Sequence, residues 1–427
     1  MSRYRIDLSG SSFPEFIERK LLYVDKTLFI EHFLGEESKV LLVTRPRRMG
    51  KSLNMNMLAA FLDLKRESAA LFTGLRIEKR PCFKTHLNRY PVVYMDFRCL
   101  RAENYPQALR DLLMDQIRKY LPPEKWTEKI RAFAENPADT DSRNLLFLTE
   151  NLHAVYGQKA VILIDEYDHV LMDNIKSPQY AEIRNYISAV FETALKGNDH
   201  LEKALLTGVL RVSQESMFSK LNNIEVYDVF KAGAFDEDFG LTEDEVRALV
   251  PAEQFDKVRN WYNNIHVGNS WMFYIYAVMS YLKNEKFDNY WGQSGTINLL
   301  GELMTSKRAR QLADIVKTLG ATFVSEVDPR VSLEAFFSNE FDRFYYGVAI
   351  QAGYLTYERD ESLKEWQYRI RVPNHELQYV WESYILLDIV NDPDDALRHI
   401  FDEIANVKRF SEDLSDFISF KLSYLDL

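Results

Sequence analysis

Up to about residue 240 the chain alternates between short apolar runs and longer segments with helical periodicity. The apolar runs, rich in β-forming residues, occupy Val40–Thr44, Pro91–Phe97, Ala160–Ile164 and Lys203–Thr207. Helical patterns separate and follow them, at Leu53–Leu64, Tyr105–Leu121, Ser142–Val155 and Tyr180–Lys196. Strands that are apolar throughout and alternate with helices predict a parallel sheet with helices on both faces. Ligands of such sheets bind beyond the carboxyl ends of the strands.

Beyond about Phe239 the pattern becomes mainly helical. Helices are expected at Thr242–Val250, Glu253–Asn263, Phe273–Leu282, Thr296–Leu303 and Arg308–Leu319. Two β-rich runs, Gly353–Tyr357 and Tyr368–Pro373, predict a hairpin after helices, as in a winged-helix unit, and a helical tail is expected from Glu376 onward. We therefore divide the chain into a leader (residues 1–35), an α/β domain (36–239) and a helical, winged-helix-like region (240–427).

Composition narrows the class of protein. The chain has 427 residues, 46% of them hydrophobic and 27% charged, which is typical of a globular protein with two or three domains. A net charge of −11 gives no general basis for binding nucleic acid or anionic membranes. The two cysteines form no metal or disulfide pattern, no signal peptide is evident, and the apolar stretch Trp271–Leu282 is too short to span a bilayer. We expect a cytoplasmic protein without a membrane partner.

The segment after the first predicted strand carries the strongest chemical signal. It reads Arg45-Pro46-Arg47-Arg48-Met49-Gly50-Lys51-Ser52 and leads into a helical pattern. A strand, a Gly-Lys-Ser turn and a helix in this order are typical of a phosphate-binding loop, whose backbone N–H groups surround the phosphates. Lys51 would reach the β- and γ-phosphates, and the Ser52 hydroxyl would bind Mg²⁺. The predicted nucleotide contacts are Arg45, Pro46, Arg47, Arg48, Met49, Gly50, Lys51, Ser52 and Leu53.

Arginines give this loop an unusual composition. The common pattern G-x-x-x-x-G-K-[ST] has glycine where this chain has Arg45, and Pro46 restricts the backbone further. Arg45 could take over a phosphate contact, or it could only make the loop rigid. Arg47 and Arg48 could contact phosphate or an acidic surface of a partner.

A second motif, Val161-Ile162-Leu163-Ile164-Asp165-Glu166-Tyr167-Asp168, is an apolar strand that ends in acids. In combination with a phosphate loop, Asp165 would hold Mg²⁺, and Glu166 would be the general base for the attacking water. Two roles are open for Asp168, a further Mg²⁺ ligand or the cap of the next helix.

The exit of the fourth predicted strand adds two candidates. Thr207 could sense the γ-phosphate or satisfy local backbone groups. Arg211 could stabilise transition-state charge, as an arginine finger does, or pair with a nearby Asp or Glu. Together with Lys51 and Glu166, these two residues form the candidate catalytic set.

These motifs together resemble the bacterial AAA-ATPase-like family, whose members often carry a nuclease-like domain of the PD-(D/E)xK superfamily after the ATPase. The similarity covers Tyr23–Thr27, Arg45–Ser52, Leu163–Asp168, Leu206–Ser213, Ser216–Ser219 and Leu221–Asn223. The resemblance implies a P-loop NTPase core of the ASCE type, and it accounts for Arg45, since the family's loop has an Arg-Pro-Arg-Arg sequence. It also implies that Tyr23, Asp25 and Lys26 lie near the adenine of ATP.

Two features depart from the family's pattern. In place of a Tyr-Asp-Gly-Tyr-like segment, this chain has Trp261-Tyr262-Asn263-Asn264-Ile265-His266, which puts the partner contacts of the helical region in doubt. After residue 240 there is no acid-x-Lys triplet, which a PD-(D/E)xK site needs to bind Mg²⁺. We therefore expect no nuclease within this chain.

The sequence as a whole predicts an Mg²⁺-dependent ATPase whose turnover moves the helical region and acts on a protein partner or a second copy of the chain. ATP is favoured over GTP, since no guanine-reading Asn-Lys-x-Asp segment is present. The alternative is a nucleotide-dependent scaffold, or a DNA- or protein-binding module with little turnover, left after loss of the nuclease-like domain. DNA would contact the scattered basic residues Lys307, Arg308, Arg310, Arg369 and Arg371.

Overall fold

The structure, a computed structural model, describes residues 4–9, 12–211, 223–292, 303, 312, 316, 318–329 and 341–391. Several predictions concern segments outside these residues. They are most of the helices expected at 296–303 and 308–319, the tail beyond 391, the family-like segment 212–222, and the basic residues Lys307, Arg308 and Arg310.

The N-terminal part of the chain forms a parallel sheet with helices packed around it. Two helices, α1 (Phe13–Glu18) and α2 (Leu28–Gly35), precede the first strand. The elements that follow are β1 (Val40–Thr44), α3 (Lys51–Leu62), α4 (Pro81–His86), β2 (Val92–Asp96), α5 (Tyr105–Tyr120), α6 (Glu128–Glu135), α7 (Asn144–Tyr156), β3 (Ala160–Asp165), α8 (His169–Asp173), α9 (Tyr180–Leu195), β4 (Leu201–Gly208) and β5 (Ile224–Tyr227).

The five strands are parallel and lie in the order β2-β3-β4-β1-β5. Every residue of β1 and β3 is buried, because helices cover both faces of the sheet. In the register Thr44 lies opposite Gly208, and Asp96 lies opposite Asp165. The carboxyl ends of β1, β3 and β4 therefore meet at one edge, which brings the loop after β1 close to the acids after β3.

The four apolar runs and the four long helical patterns predicted for this domain are confirmed, with shifts of a few residues at their ends. The α/β fold class is therefore as expected. β5 was not predicted from the sequence, since it is only four residues long and includes the charged residue Glu225. A short edge strand lacks the continuous apolar pattern that identified the central strands.

The C-terminal region is mainly helical and contains short antiparallel sheets. Its elements are α10 (Glu243–Leu249), α11 (Ala252–Tyr262), β6 (Ile265–Val267), β7 (Ser270–Met272), α12 (Ile275–Asn284), β8 (Phe323–Glu326), α13 (Phe341–Gln351), β9 (Thr356–Glu358), β10 (Gln367–Arg371) and α14 (His375–Asn391). The predicted hairpin is confirmed as the antiparallel pair of β9 and β10, and β8 extends it to three strands. The winged-helix description stays a prediction.

Within the described residues, no helix combines the length and the apolarity that crossing a membrane requires.

Candidate phosphate-binding site

The loop between β1 and α3 continues directly from the sheet. The N–H of Arg45 donates to the carbonyl oxygen of Gly208 at 3.1 Å, and α3 begins at Lys51. Gly50 is the N-cap residue, with a φ of 86°, and a Cβ at this position would lie 2.7 Å from Cδ1 of Ile275. The left-handed backbone favours glycine here. The chain thus turns from strand to helix at the edge where β3 also ends.

Lys51 lies over this loop and close to the acids. Its side chain is 4% exposed, and Nζ donates to the carbonyl oxygens of Arg45 at 3.1 Å and Pro46 at 3.2 Å. The same ammonium lies 3.8 Å from Oε1 of Glu166. The fold therefore brings together two of the predicted catalytic residues, one at the start of α3 and one in the turn after β3.

Arg45 is fully buried in the core beneath the loop. Its guanidinium donates at 2.8–2.9 Å to the carbonyl oxygens of Thr44, Tyr227 and Phe235. Burial lowers the pKa of Arg45 to about 10. These bonds tie β1 to the end of β5 and to the segment after it. Of the two roles considered for Arg45, the geometry matches a rigid loop, and a phosphate contact stays a prediction.

Arg47 and Arg48 connect the loop to the C-terminal region. The carbonyl oxygen of Arg47 accepts a hydrogen bond from the indole N–H of Trp291 at 3.3 Å. The guanidinium of Arg48 lies over the Tyr276 ring, 4.1 Å from its centroid, and the Arg48 backbone has a φ of 69°. Phosphate or partner contacts of these two arginines stay predictions.

Asp165 has the features of a metal ligand. It is fully buried, and its Oδ1 accepts a 2.6 Å hydrogen bond from the Thr207 hydroxyl. Its Oδ2 has no hydrogen-bond partner among the described residues. Burial raises the pKa of Asp165, as does the charge of Glu166, while the hydroxyls of Ser52 and Thr207 lower it. A buried carboxylate oxygen without a donor, beside the Ser52 hydroxyl, fits the oxygen ligands that Mg²⁺ prefers.

Glu166 follows β3 in a left-handed backbone conformation, with a φ of 54°. Such a conformation costs about 1–3 kcal/mol for a residue with a side chain and is concentrated at functional sites. Two hydrogen bonds hold the turn. The N–H of His169 donates to the carbonyl oxygen of Glu166 at 3.0 Å, and the N–H of Tyr167 donates to the carbonyl oxygen of Thr207 at 2.9 Å. Glu166 is thereby positioned for its approach to Lys51.

Asp168 does not cap α8, because its side chain makes no hydrogen bond to that helix. The capping alternative is therefore wrong. Oδ2 of Asp168 instead accepts hydrogen bonds from the N–H groups of Val209 at 3.0 Å and Leu210 at 2.9 Å, just after β4. Burial and the charge of Glu166 raise the pKa of Asp168 to about 6. Whether Asp168 also binds Mg²⁺ stays a prediction.

The residues at the exit of β4 have partners within the protein. The Thr207 hydroxyl bonds to a side chain, Asp165, and not to the local backbone groups of the second alternative. Arg211 pairs with the buried Asp228 at 2.9 Å, as its ion-pair alternative predicted. Its backbone N–H donates to Oε1 of Gln351 at 2.7 Å, which links this exit to α13.

The leader residues implied to lie near adenine are packed against the rest of the chain. The Tyr23 hydroxyl donates to Sδ of Met57 at 3.1 Å, and Asp25 accepts from the N–H of Arg76 at 2.7 Å. Nζ of Lys26 bonds to Oε2 of Glu245 in α10 at 2.6 Å. The Lys26 contact joins the leader to the C-terminal region, and the other two join it to the α/β domain, while proximity to adenine stays a prediction.

A small cavity of about 30 Å³ lies between the loop, the acids and the C-terminal region. Its lining residues are Arg47, Glu166, Asp168, His169, Met172, Asp173, Val209, Leu210, Trp291, Ala352 and Tyr354. The positions of Trp291 and Tyr354 in the lining of this cavity were not predicted from the sequence. An isolated aromatic residue carries no local signal for such a position, because only the packing of α12, α13 and α14 brings these rings to the loop.

The segment around Trp291 is hydrogen-bonded to Glu376, the second residue of α14. The backbone N–H of Trp291 donates to Oε1 of Glu376 at 2.7 Å, and both residues are buried. Burial raises the pKa of Glu376 to about 8. The Trp291 ring contacts those of Tyr274 and Tyr354, with centroid separations of 5.6 and 5.1 Å. These three rings, Trp291, Tyr274 and Tyr354, form an aromatic cover over the loop, and this cover is continuous with the core of the C-terminal region.

Comparisons with known proteins give one family and two individual similarities. Residues 8–218 match the family model described as Predicted AAA-ATPase. An uncharacterized protein in the vnfD 5′ region of Azotobacter chroococcum mcd 1 is 28% identical over 410 residues, 93% of this chain and 73% of that protein.

The solved structure of the ORC2 protein of Aeropyrum pernix, in ADPNP-ADP complexes, is similar with 10% identity and a TM-score of 0.29, over 84% of this chain and 92% of that one. A TM-score this low does not establish a shared fold. The family match, by contrast, spans the loop after β1, the acids after β3 and the exit of β4. Through these residues, the part of the chain from 8 to 218 belongs to the AAA-ATPase-like family.

Proposed function

We propose that the chain binds ATP with Mg²⁺ at the loop between β1 and α3 and hydrolyses it, and that this cycle moves the C-terminal region. The observation that carries the proposal is the convergence of Lys51, Asp165 and Glu166 at one edge of the sheet, with Lys51 Nζ 3.8 Å from Glu166 Oε1. The family match of residues 8–218 supports an ATPase-like, nucleotide-binding role.

Each residue of the site has a distinct part in the proposed reaction. Lys51 would exchange the loop carbonyl oxygens for oxygens of the β- and γ-phosphates. Ser52 and Asp165 would hold Mg²⁺, which neutralises phosphate charge, and the bond from Thr207 would keep the Asp165 carboxylate oriented. Glu166 would accept a proton from the attacking water.

The conformational part of the proposal is supported by how the C-terminal region contacts the loop. Arg47 bonds to Trp291, Arg48 stacks on Tyr276, and a Cβ on Gly353 would lie 2.8 Å from Cβ of Pro46. The cavity of about 30 Å³ is far smaller than the roughly 300–1,000 Å³ of pockets that enclose larger ligands. In the proposal, a triphosphate that reaches the acids displaces parts of this cover, which couples nucleotide binding to movement.

Binding of ATP is expected to change the fluorescence of Trp291. Displacement of the cover breaks the bond to Arg47 and exposes a ring that is now 6% exposed. The change is measured by rapid mixing of the protein with ATP and Mg²⁺. We expect Trp291→Phe to lose the signal and to bind ATP about fivefold more tightly, since it lacks one hydrogen bond that holds the closed state.

Trp126→Phe is the matched control, because the Trp126 indole bonds to the Leu121 carbonyl oxygen, in the segment that follows α5. This variant should keep the full signal. A signal that is unchanged in Trp291→Phe, from a protein that binds ATP, would show that the cover does not move on binding and would contradict the proposed switch.

The structure lends little support to DNA as the partner. On the β9–β10 hairpin, Arg369 pairs with Asp360 at 2.7 Å and Arg371 pairs with Glu358 at 3.0 Å. These acids offset the positive charge that DNA phosphates would require. We therefore favour a protein partner or a second copy of the chain.

A further inference from the structure

We infer that Gly208, at the end of β4, is a positioning residue for Glu166. The absence of a side chain at Gly208 lets the turn Glu166-Tyr167-Asp168 lie directly against β4, and this placement aims Glu166 at Lys51. The inference rests on the proposed function, in which Glu166 is the general base. It assigns to Gly208 a part in turnover, separate from nucleotide binding.

The conformation of Glu166 needs support from its surroundings. With a φ of 54°, the residue has a backbone that side chains disfavour, and it keeps this backbone only when neighbouring contacts determine it. The residues immediately after Glu166 make those contacts. The Tyr167 N–H donates to the Thr207 carbonyl oxygen at 2.9 Å, and the Tyr167 hydroxyl donates to the Leu210 carbonyl oxygen at 2.6 Å.

Asp168 completes the attachment of the turn to the exit of β4. Its Oδ2 accepts the N–H groups of Val209 and Leu210, at 3.0 and 2.9 Å. Tyr167 is fully buried and Asp168 is 2% exposed. The hydrogen bonds to the exit of β4 hold both buried side chains, so the position of the turn depends on the space that β4 leaves for it.

Gly208 provides this space. A Cβ on Gly208 would lie 2.5 Å from Oδ1 of Asp168 and 2.6 Å from Cε1 of Tyr167, distances that real Cβ atoms do not show. The requirement is steric, because Gly208 has no positive φ. Alanine at this position would push the turn away from β4, and Glu166 would move with it.

Gly208→Ala is therefore expected to lower kcat for ATP about 100-fold, as a displacement of about 1 Å does for reacting groups. The dissociation constant for ATP should change less than about threefold, since Lys51 and the loop stay in place. Gly35→Ala is the matched control, because a Cβ on Gly35 meets nothing within 4 Å. This control should match wild type in both quantities.

A second variant keeps the test valid if Gly208→Ala fails to fold. Tyr167→Phe removes only the hydroxyl that bonds to Leu210, and we expect it to lower kcat about fivefold with ATP binding retained. Both variants should cause no further loss when combined with Glu166→Gln, because they act through Glu166.

Three outcomes would overturn the inference. Wild-type kcat in a folded Gly208→Ala protein would remove the positioning role, and so would a loss that adds to that of Glu166→Gln. Wild-type kcat in Tyr167→Phe would do the same where Gly208→Ala does not fold. Failure of the proposed function has a different signature, in which wild-type turnover equals that of Glu166→Gln, and the inference falls with it.

Discussion

Replacing Glu166 with glutamine is expected to lower the turnover of ATP by about 10²–10⁴-fold, the usual contribution of a general base. Glutamine has nearly the same shape as glutamate, but it cannot take a proton from water. ATP binding should persist or strengthen slightly, because Lys51 loses only the carboxylate that lies 3.8 Å from its ammonium. Phosphate release and the equilibrium binding of a fluorescent ATP analogue measure the two quantities separately.

Glu225→Gln is the control for this prediction. The chemical change is the same, but Glu225 lies on the edge strand β5, where its half-exposed carboxylate pairs with Lys231. Its turnover should equal that of wild type. Equal background turnover of ATP in wild type and Glu166→Gln would refute the proposed ATPase activity. The nucleotide-dependent scaffold would then be the better description.

Replacing Arg45 with methionine is expected to destabilise the protein by about 3–5 kcal/mol, because it removes a buried positive charge that is hydrogen-bonded to carbonyl oxygens and attracted by nearby aspartates. Three carbonyl oxygens lose their donor, and the attraction to Asp236, Asp228 and Asp238 disappears. Methionine fills most of the volume, so the cost comes from polar groups left without partners. The urea midpoint of unfolding, followed by circular dichroism, reports the change.

Arg118→Met is the matched control for Arg45, since Arg118 is 67% exposed and its one ion pair within the described part of the chain is with the equally exposed Asp115. This exposed change should shift stability by less than about 1 kcal/mol. The pair of variants also decides between the two roles of Arg45. A stable Arg45→Met protein that no longer binds ATP would contradict the structural role and restore the phosphate contact.

The central sheet was predictable from the sequence because its strands are apolar at nearly every position and helices separate them. The phosphate loop was predictable because Gly50, Lys51 and Ser52 stand between a strand and a helix, where chance occurrence is rare. β5 and β8 were missed, since each has four residues and carries glutamate, so that neither shows a continuous apolar run.

The site itself was only partly predictable. Sequence order indicated that Lys51 and Glu166 lie at the same edge of the sheet, but the left-handed backbone of Glu166 follows from packing against β4. The capping role considered for Asp168 was wrong because residues after β4, distant in sequence, offer two N–H groups to its carboxylate. The cover formed by Trp291 likewise depends on contacts that no local pattern records.

A nucleotide site at the loop between β1 and α3 is tested most directly by the equilibrium binding of ATP, with and without Mg²⁺, to wild type and to Lys51→Ala. We expect Mg²⁺-dependent binding by wild type and a loss of about 100-fold or more in Lys51→Ala, since the Lys51 ammonium is the group proposed to contact the β- and γ-phosphates. Unfolding by urea should show that the variant is folded. Equal ATP binding by the two proteins, or none by wild type, would contradict a nucleotide site at this loop.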